Sequence, residues 1–454
     1  ELVSQAAQMP RLARTAVQHA LGRRGVSVLA IPGDVLHRAA VNRTGESSLA
    51  TVRATVIPAA EQVAALAERL NAAETVTLFC GAGTENAHAE VMELAGKLHS
   101  PVGHTLRGKE WVQYENPYDV GMSGLLGYGG CYEATHESDV LLLLGTDFPY
   151  DVFLPQARTI QVDHDATRLG RRTPLELAVH GDVPATLRAV LPLLDQKTDR
   201  SFLDRMLRKH ASALEHVVSA YTHDVEHHLP IHPEYAARIL DEVASEDAVF
   251  TVDTGMCNVW AARYITPNGR RRVIGSFLHG TMANALPHAI GAQLAYPDRL
   301  VISMSGDGGL GMLLGELLTV SMHRLPVKIV VFNNSALGMI KLEMMVDGLP
   351  AYQTDNGHVD YAALARAAGL HAIRIEQPVD VRDGLSEAFA HRGPALVDLV
   401  TDPNALSIPP HITAAQVKGF ALAAGKLVLD GGVGRMLELA RANVRNIPRP
   451  AVVR

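Results

Sequence analysis

Asp307 and Asn334 each follow a short apolar run, and their side chains offer oxygen atoms that bind hard divalent cations. Asp307 stands in the glycine turn at 306–309, and Asn334 closes an Asn-Asn pair 334 − 307 = 27 residues later. Magnesium prefers octahedral oxygen coordination, typically from one or two carboxylates and phosphate oxygens. Glycines let the backbone approach a phosphate, and the N–H groups of a helix start face it. The two turns together predict a metal–diphosphate site, although either turn alone would more often be an ordinary loop.

A βαβ unit would bring these two residues together. Residues 300–304 and 327–332 have the apolar pattern of buried strands, and leucines at 310, 313, 314, 317 and 318 recur at helical spacing. Parallel strands of such a unit end at the same edge of the sheet. We therefore expect Asp307 and Asn334 to be near neighbours.

The GDG turn and the later NN pair resemble the signature of the thiamine-diphosphate enzymes. Similarity continues through LRGKEWVQYENPYDVGMSGLLG, GTDFPY, VWAARY, GSFLHGTMANALP and LPVKIVVFNNSALG. Together these stretches resemble the quinone-dependent pyruvate dehydrogenase and pyruvate oxidase branch of that family, over about residues 1–446. The resemblance implies an α/β fold of tandem doubly wound parallel-sheet domains.

The length of 454 residues fits about three domains, and the resemblance divides the chain into four segments. Residues 1–52 would be the end of a pyrimidine-binding domain plus a linker, with a helix at 9–25 and a strand at 26–31. An FAD-binding middle domain would occupy 53–206, a thiamine-diphosphate and magnesium domain 207–404, and a membrane-binding tail 405–454. Because the chain opens without methionine, and the family's catalytic glutamate would precede Glu1, we expect a truncated chain with impaired turnover.

Residues of the middle domain are assigned to FAD by the resemblance. Taken alone, Asp163 at a strand end could accept hydrogen bonds from a ribose, or could be a loop acid or helix cap. The resemblance favours the ribose role. The full set implied for FAD is Ser123, Gly124, Leu125, Leu126, Thr146, Asp147, Phe148, Pro149, Tyr150 and Asp163.

The resemblance also implies the residues around thiamine diphosphate. Met282 alone would be a core residue, but the family has a bulky apolar wedge under the bent cofactor at this position. The implied metal ligands are the side chains of Asp307 and Asn334 and the carbonyl of Ala336. The implied cofactor-binding set is Gly280, Thr281, Met282, Asp307, Gly308, Gly309, Asn334, Ser335, Ala336, Leu337, Gly338, Met339 and Ile340.

Two residues are implied to act in catalysis, Met339 and Glu343. Met339 departs from the family, where an aromatic side chain is common, and this puts the route of electron transfer in doubt. Glu343 matches an active-site acid of the oxygen-using relatives, and its alternative is an exposed helix glutamate.

The reaction implied is oxidative decarboxylation of pyruvate to acetate and CO2. Thiamine diphosphate, FAD and Mg²⁺ would be the cofactors, ubiquinone or menaquinone the electron acceptor, and a homotetramer the assembly. The residues alone do not distinguish pyruvate from another small 2-oxo acid. The alternatives are an oxygen-using pyruvate oxidase, an acetolactate synthase-like carboligase, or a non-catalytic flavin-bound fragment.

Composition argues against several other classes of protein. The net charge of −7 and the pI near 6.3 give no reason to expect nucleic-acid binding. The three cysteines lack the spacing of a zinc site or disulfide framework, and no apolar run is long enough to span a membrane.

The tail is more basic than the rest of the chain. An apolar stripe at 433, 436, 437, 440 and 444, with Arg435, Arg441 and Arg445 away from it, predicts a basic amphipathic helix. Such a helix more often packs on its own protein, but the resemblance favours membrane lipid. The expected location is cytoplasmic, peripheral on the inner face of the cell membrane.

Overall fold

A computed structural model describes residues 1–23, 25–40, 49, 54–155, 158–405, 418–419, 421–424, 426 and 433–446, and the chain divides into two compact units at Ile57 and Pro58. The smaller unit contains helices α1 (Met9–Arg23) and α2 (Gly33–Leu36). Its small core is formed by Val3, Leu12 and Val35. The predicted helix at 9–25 is confirmed, with its end two residues earlier.

The strand predicted at 26–31 is wrong. Those residues form a single parallel bridge, between Ala30 and Leu2. Val26 is 90% exposed, and no second strand among the described residues of this unit offers a partner ladder. An apolar run becomes a strand only where a neighbouring strand pairs with it.

The larger unit contains two sheets, and the first has seven strands. They are β1 (Val76–Cys80), β2 (Val102–His104), β3 (Asp119–Met122), β4 (Tyr128–Gly129), β5 (Val140–Leu144), β6 (Thr159–Asp163) and β7 (Leu177–His180). Their order is β4-β3-β2-β1-β5-β6-β7, and every pair is parallel except β3 with β4. The surrounding helices are α3 (Ala60–Ala72), α4 (His88–Leu98), α5 (Leu106–Val112), α6 (Cys131–Glu137), α7 (Val183–Val190) and α8 (Ser201–Ala213).

The strands predicted in this region at 75–79, 140–144 and 158–162 are confirmed within one residue. All five positions of β1 and of β5 are buried, because helices cover both faces of the sheet. From β1 the chain runs to β2 on one side and later returns to β5 on the other. The carboxyl ends of β1 and β5 therefore border a topological switch point, where α/β folds bind ligands.

The second sheet has six strands, all parallel: β8 (Val249–Val252), β9 (Arg272–Gly275), β10 (Val301–Gly306), β11 (Lys328–Asn333), β12 (His371–Ile375) and β13 (Ala395–Val400). Their order is β12-β13-β11-β10-β8-β9, with the switch point between β8 and β10. The helices are α9 (Pro233–Val243), α10 (Met256–Tyr264), α11 (Ala285–Ala295), α12 (Asp307–Met312), α13 (Glu316–Met322), α14 (Gly338–Val346), α15 (Tyr361–Ala367) and α16 (Val381–Ala390). Between the sheets, the Arg272 guanidinium bonds Glu110 at 3.0 Å.

The predicted βαβ unit is confirmed in its strands and corrected in its helix. Strands β10 and β11 pair in parallel with Gly306 opposite Phe332, so Asp307 and Asn334 leave the same sheet edge. The single helix predicted from the leucine spacing is instead two helices, α12 and α13. Glycines at 308, 309, 311 and 315 have low helix propensity, and Leu313 and Leu318 stay exposed rather than forming one buried stripe.

The tail contains helix α17 (Val433–Asn443); residues 406–417, 420, 425, 427–432 and 447–454 of the predicted membrane segment lie outside the described residues. Leu439 and Ala442 are buried, whereas Leu437, Ala440 and Val444 are exposed. The Arg445 guanidinium lies over the Tyr221 ring, 5.6 Å from its centroid. The helix thus packs on its own protein through one face and leaves part of the predicted stripe uncovered. None of the described helices is long and apolar enough to cross a bilayer.

Candidate functional site

The Asp307 carboxyl is buried at the switch point of the second sheet. Asp307 is the first residue of α12 and only 3% exposed. Burial raises the pKa of Asp307, while hydrogen bonds from the Asn356 amide and from the main chain of Gly308 and Asn334 oppose that rise. Asp307 and Asn334 therefore lie in neighbouring turns at one edge of the sheet, as the sequence predicted.

The segment after β11 folds tightly around Asn334. The Oδ1 atom of Asn334 accepts a hydrogen bond from the main-chain N–H of Ala336 at 3.0 Å. Ser335 has a φ of 55°, a left-handed conformation that side chains seldom adopt. Gly338 begins α14, and a Cβ there would lie 2.9 Å from the Asn334 amide nitrogen. The turn therefore holds the Asn334 side chain close to the start of a helix.

A third segment, the loop between β9 and α11, reaches the same place. The Asn284 amide donates to the carbonyl of Thr281 at 2.7 Å and to Asp253 Oδ1 at 3.2 Å. Gly280 takes a φ of 62°, and its N–H donates to the Ser276 carbonyl at 2.7 Å.

The tip of this loop contacts the glycine turn directly. The Met282 methyl lies 3.7 Å from the Cβ position of Gly308, and Leu337 Cδ2 lies 2.8 Å from the same position. The structure thus brings together the predicted segments 280–282, 307–309 and 334–338.

Asp253 also belongs to this site, although the sequence reasoning assigned it no role. It follows β8 directly, is 1% exposed, and its Oδ2 atom has no hydrogen-bond partner. Burial raises the pKa of Asp253 to about 6, despite hydrogen bonds from Thr254 and Asn284. A Cβ on Gly309 would lie 1.9 Å from Asp253 Oδ2. The position of this acid directly after a buried strand is the feature of the sequence from which its role could have been predicted.

These features fit a metal–diphosphate ligand. Asp307, Asn334 and Ala336 supply oxygen donors only, which suits magnesium. Glycines at 308 and 309 let the turn pack closely, because a Cβ at either would collide with Leu337, Asn356 or Asp253. The unpartnered Asp253 Oδ2 is a polar atom that a hydrogen-bond donor of a ligand could satisfy. The described residues contain no cluster of three or more His, Cys, Asp or Glu side chains suited to a metal. An oxygen site with one carboxylate is consistent with that.

The other predicted residues around thiamine diphosphate lie on α14. Met339 is half-buried and packs against the main core of the second sheet, whereas Ile340 is exposed. Glu343 is exposed on α14, and its charge helps burial to raise the pKa of Tyr150. Tyr150 lies between β5 and β6 of the first sheet, in the predicted flavin segment.

The predicted flavin residues gather at the other switch point. Backbones meet there without side chains between them, since a Cβ on Gly83 would lie 2.6 Å from Gly145 Cα. Gly124 has a φ of 108°, and its Cβ position lies 3.0 Å from the Phe148 ring and 3.4 Å from the Tyr150 ring. The Oγ atom of buried Ser123 has no partner. Close backbone approach, two aromatic rings packed edge to face and an unsatisfied hydroxyl fit a polar cofactor such as FAD.

The other predicted flavin residues differ in burial and in whether they already have partners. Asp163 is buried, which raises its pKa, and its Oδ1 accepts the N–H of Asp165 at 2.9 Å. Asp147 forms ion pairs with Arg171 and Arg172, both at 3.2 Å, so its carboxylate already has partners. Thr146 is buried, Leu126 packs on the core of the second sheet, and Leu125 and Pro149 are exposed.

Two further residues touch Asp307 and were not found from the sequence. The Tyr361 hydroxyl donates to the Asp307 carbonyl at 2.7 Å, and the Asn356 amide donates to Asp307 Oδ2 at 3.0 Å. Asn356 lies between α14 and α15, and Tyr361 is the first residue of α15; no motif or periodicity marks either residue.

With this geometry in place, comparison with known proteins identifies the family. The central-domain model of the thiamine pyrophosphate enzymes matches residues 63–190, and the C-terminal thiamine pyrophosphate-binding domain matches residues 253–399. The chain belongs to the thiamine pyrophosphate enzyme family.

Three relatives illustrate the kinds of protein to which the chain is similar. The chain is 32% identical over 424 residues to YdaP of Bacillus subtilis (strain 168), named as thiamine pyrophosphate-containing, covering 92% of this chain and 72% of that one. It is 30% identical over 390 residues to the acetolactate synthase isozyme 1 large subunit of Escherichia coli (strain K12), covering 84% and 68%. It is 28% identical over 405 residues to pyruvate oxidase of Lactiplantibacillus plantarum, covering 87% and 66%. Because both an oxidase and a synthase are similar, family membership alone does not distinguish their reactions.

Proposed function

We propose that this protein decarboxylates pyruvate oxidatively to acetate, with thiamine diphosphate, Mg²⁺ and FAD, and passes the electrons to ubiquinone or menaquinone. The balanced reaction takes pyruvate and water to acetate, CO2, two protons and two electrons. The observation that carries the proposal is a contact between the predicted flavin segment and the second sheet. The Arg263 guanidinium on α10 donates to the Gly127 carbonyl at 3.2 Å, and Leu126 packs on the core of that sheet. This contact supports a flavin next to the domain that would hold thiamine diphosphate.

The residues of the second sheet would hold the diphosphate end of the cofactor. Asp307, Asn334 and the Ala336 carbonyl would bind Mg²⁺, and Met282 would support the ring system from the side of Gly308. Thiamine diphosphate, when bound, supplies the nucleophilic carbon and the electron sink for decarboxylation. The protein's own contribution is to fix the diphosphate and to exclude water between the apolar side chains of Met282 and Leu337.

The residues of the first sheet would hold the flavin. Gly124 and the rings of Phe148 and Tyr150 would border its flat surface, Ser123 would donate or accept a hydrogen bond, and Asp163 would accept from the ribose. FAD, when bound, supplies a two-electron acceptor beside the decarboxylation site. Glu343, the acid of the predicted catalytic pair, is exposed on α14.

Product analysis tests this assignment. Purified protein supplied with pyruvate, thiamine diphosphate, Mg²⁺ and FAD should form acetate and reduce a soluble quinone in equal amounts. Acetolactate as the main product would favour the synthase reaction, for which the 30% identical acetolactate synthase is the supporting observation. Hydrogen peroxide without quinone reduction would favour an oxygen-using oxidase. Bound flavin with no product at all would favour the non-catalytic flavin-bound fragment.

The proposal extends to the tail and a membrane surface. Leu437 on α17 and Val444 just after its end are exposed, and the basic residues Arg441 and Arg445 are close to them in the sequence. Vesicles containing anionic lipid should sediment the protein, and Leu437→Asp with Val444→Asp should abolish this without changing thermal stability. Leu439→Asp is the matched control for folding, because Leu439 is buried and its change should lower the melting temperature instead. Equal sedimentation of wild type and the double variant would refute lipid contact through α17.

We also propose assembly as a homotetramer. The helices beside the metal–diphosphate site expose several large apolar side chains, Leu294, Met312, Leu318 and Met322. Several exposed large apolar side chains on one part of the chain are what a surface covered by another protein chain would contain. Light scattering of wild type and of Leu318→Asp should show a tetramer and a smaller species, respectively. A monomeric wild type would refute the assembly.

A further inference from the structure

A short segment crosses the metal–diphosphate turn from outside the residues that form it. We call residues 354–358 the strap. Its backbone runs antiparallel to the segment after β11, with a bridge between Ala336 and Asp355. The Leu337 N–H donates to the Thr354 carbonyl at 2.7 Å, and the Asn356 N–H donates to the Ser335 carbonyl at 2.9 Å. The strap is therefore fixed to the loop that carries Asn334.

Asn356 links this strap to the carboxylate on the neighbouring strand. Its amide donates to Asp307 Oδ2 at 3.0 Å, and its amide nitrogen lies 2.9 Å from the Cβ position of Gly308. Because a carboxylate accepts but cannot donate, the amide must present its N–H group to Asp307. The side chain of Asn356 thus contacts the glycine turn, while its main chain is bonded to the turn that contains Asn334.

The strap is held in place beyond Asn356 as well. The Asn333 amide donates to the Val359 carbonyl at 3.0 Å, and His358 Nδ1 lies 3.2 Å from Ser335 Oγ. These contacts fix where the Asn356 side chain starts, so its hydrogen bond can fix the rotation of the Asp307 carboxylate.

We propose that Asn356 is a positioning residue that sets the orientation of Asp307 for the divalent cation of the diphosphate ligand; this rests on the proposed function of the site. An N–H group cannot bind a cation, so the amide reserves one lone pair of Oδ2 and leaves the rest of the carboxylate for the metal. A carboxylate already turned to its binding orientation loses less conformational freedom when the cation binds. Asn356 therefore raises cation affinity without contacting the reacting atoms.

The test compares Asn356→Leu, which keeps the shape and removes the donor, with wild type. Gln353→Leu is the matched control, because Gln353 is an exposed carboxamide next to the strap. Mn²⁺ binding to the full chain is measured by the loss of the free-ion paramagnetic resonance signal at saturating thiamine diphosphate. Mg²⁺ competition and the melting temperature of the metal-free proteins are measured alongside. Asn356→Ala is a second variant if the leucine protein does not fold.

Asn356→Leu should raise the dissociation constant of Mn²⁺ and Mg²⁺ about tenfold. The melting temperature of the metal-free variant should stay within a few degrees of wild type, and its kcat at saturating Mg²⁺ should stay within twofold. Gln353→Leu should behave as wild type. Unchanged cation affinity in Asn356→Leu and Asn356→Ala, or an equal loss in the control, would overturn the inference. A wild type that binds cation and cofactor but forms no acetate would refute the proposed reaction and leave this inference standing, whereas a wild type that binds no cation would overturn both.

Discussion

Replacement of Gly309 by alanine tests the packing of the glycine turn. The added Cβ would lie 1.9 Å from Asp253 Oδ2 and 2.8 Å from its Cγ. A carbon and an oxygen in ordinary contact are about 3.3 Å apart, so either α12 or the Asp253 side chain must move by roughly 1.4 Å. The Asp253 side chain cannot turn freely, because its Oδ1 accepts hydrogen bonds from the main-chain N–H groups of Thr254 at 2.9 Å and Asn284 at 3.1 Å.

The expected loss of stability combines two effects. Overpacking of a rigid site costs about 1–3 kcal/mol, and a lost hydrogen bond to a charged or partly charged group costs about 1.5 kcal/mol or more. We therefore expect Gly309→Ala to lower the free energy of unfolding by about 2–4 kcal/mol. Displacement of α12 should also weaken binding of thiamine diphosphate with Mg²⁺, because Asp307 begins that helix.

Gly315→Ala is the matched control. Gly315 lies in the same stretch between α12 and α13, has a φ of −57°, and a Cβ there meets no atom within 4 Å. Its replacement should be neutral or stabilise by about 0.4–1 kcal/mol, since alanine restricts the unfolded chain. Urea denaturation of the cofactor-free proteins and calorimetric titration with thiamine diphosphate and Mg²⁺ measure both effects. If Gly309→Ala matches Gly315→Ala in stability and in cofactor affinity, the close packing of Asp253 against the turn is refuted.

Three further changes probe single groups. Asp253 should ionise near pH 4 when unfolded and near pH 6 when folded. Its protonated form therefore stabilises the folded state by on the order of 2–3 kcal/mol, and this contribution should be lost as the pH rises from about 4 to about 6. Denaturation of cofactor-free wild type and Asp253→Asn at several pH values should show a difference in stability that follows this course, and a pH-independent difference would contradict it. Ser123→Ala should weaken FAD binding about tenfold in a fluorescence titration, while Ser138→Ala, which also removes a buried hydroxyl without a partner, should not; equal affinities in both would argue against Ser123 as a flavin contact. Glu343→Gln should lower the pKa of Tyr150, whose rise is caused first by burial and then by the Glu343 charge, and an unchanged ultraviolet titration of Tyr150 would place the two side chains too far apart to interact.

The strands of the larger unit could be predicted because their signal is local. Runs such as 140–144 are apolar at every position, as expected for strands covered on both faces. The neighbouring positions of Asp307 and Asn334 also followed from local patterns, because two parallel strands joined by one helix must end at the same edge. The register of Gly306 with Phe332 agrees with that reasoning.

The errors arose where a pattern depends on a partner that the local sequence does not specify. Residues 26–31 have strand-like composition, but within the described part of their unit their only β-bridge is to Leu2. The leucines of 310–318 have helical spacing, but four glycines in 308–315 break the helix and turn Leu318 outward. Spacing predicts which residues could share a face, whereas packing decides whether that face is buried.

The contacts that complete the site could not be predicted from apolar runs or from residue spacing. Asn356 is 356 − 307 = 49 residues from the carboxylate it contacts, and Asp253 is 309 − 253 = 56 residues from the glycine it packs against. Both carboxylates, Asp253 and Asp307, are buried beside one glycine turn, and burial raises the pKa of each. A buried carboxyl group resists ionising unless positive charge is brought to it. A divalent cation at Asp307 would supply that charge, so the burial that disfavours an isolated Asp307 carboxylate also favours binding of a metal with its diphosphate.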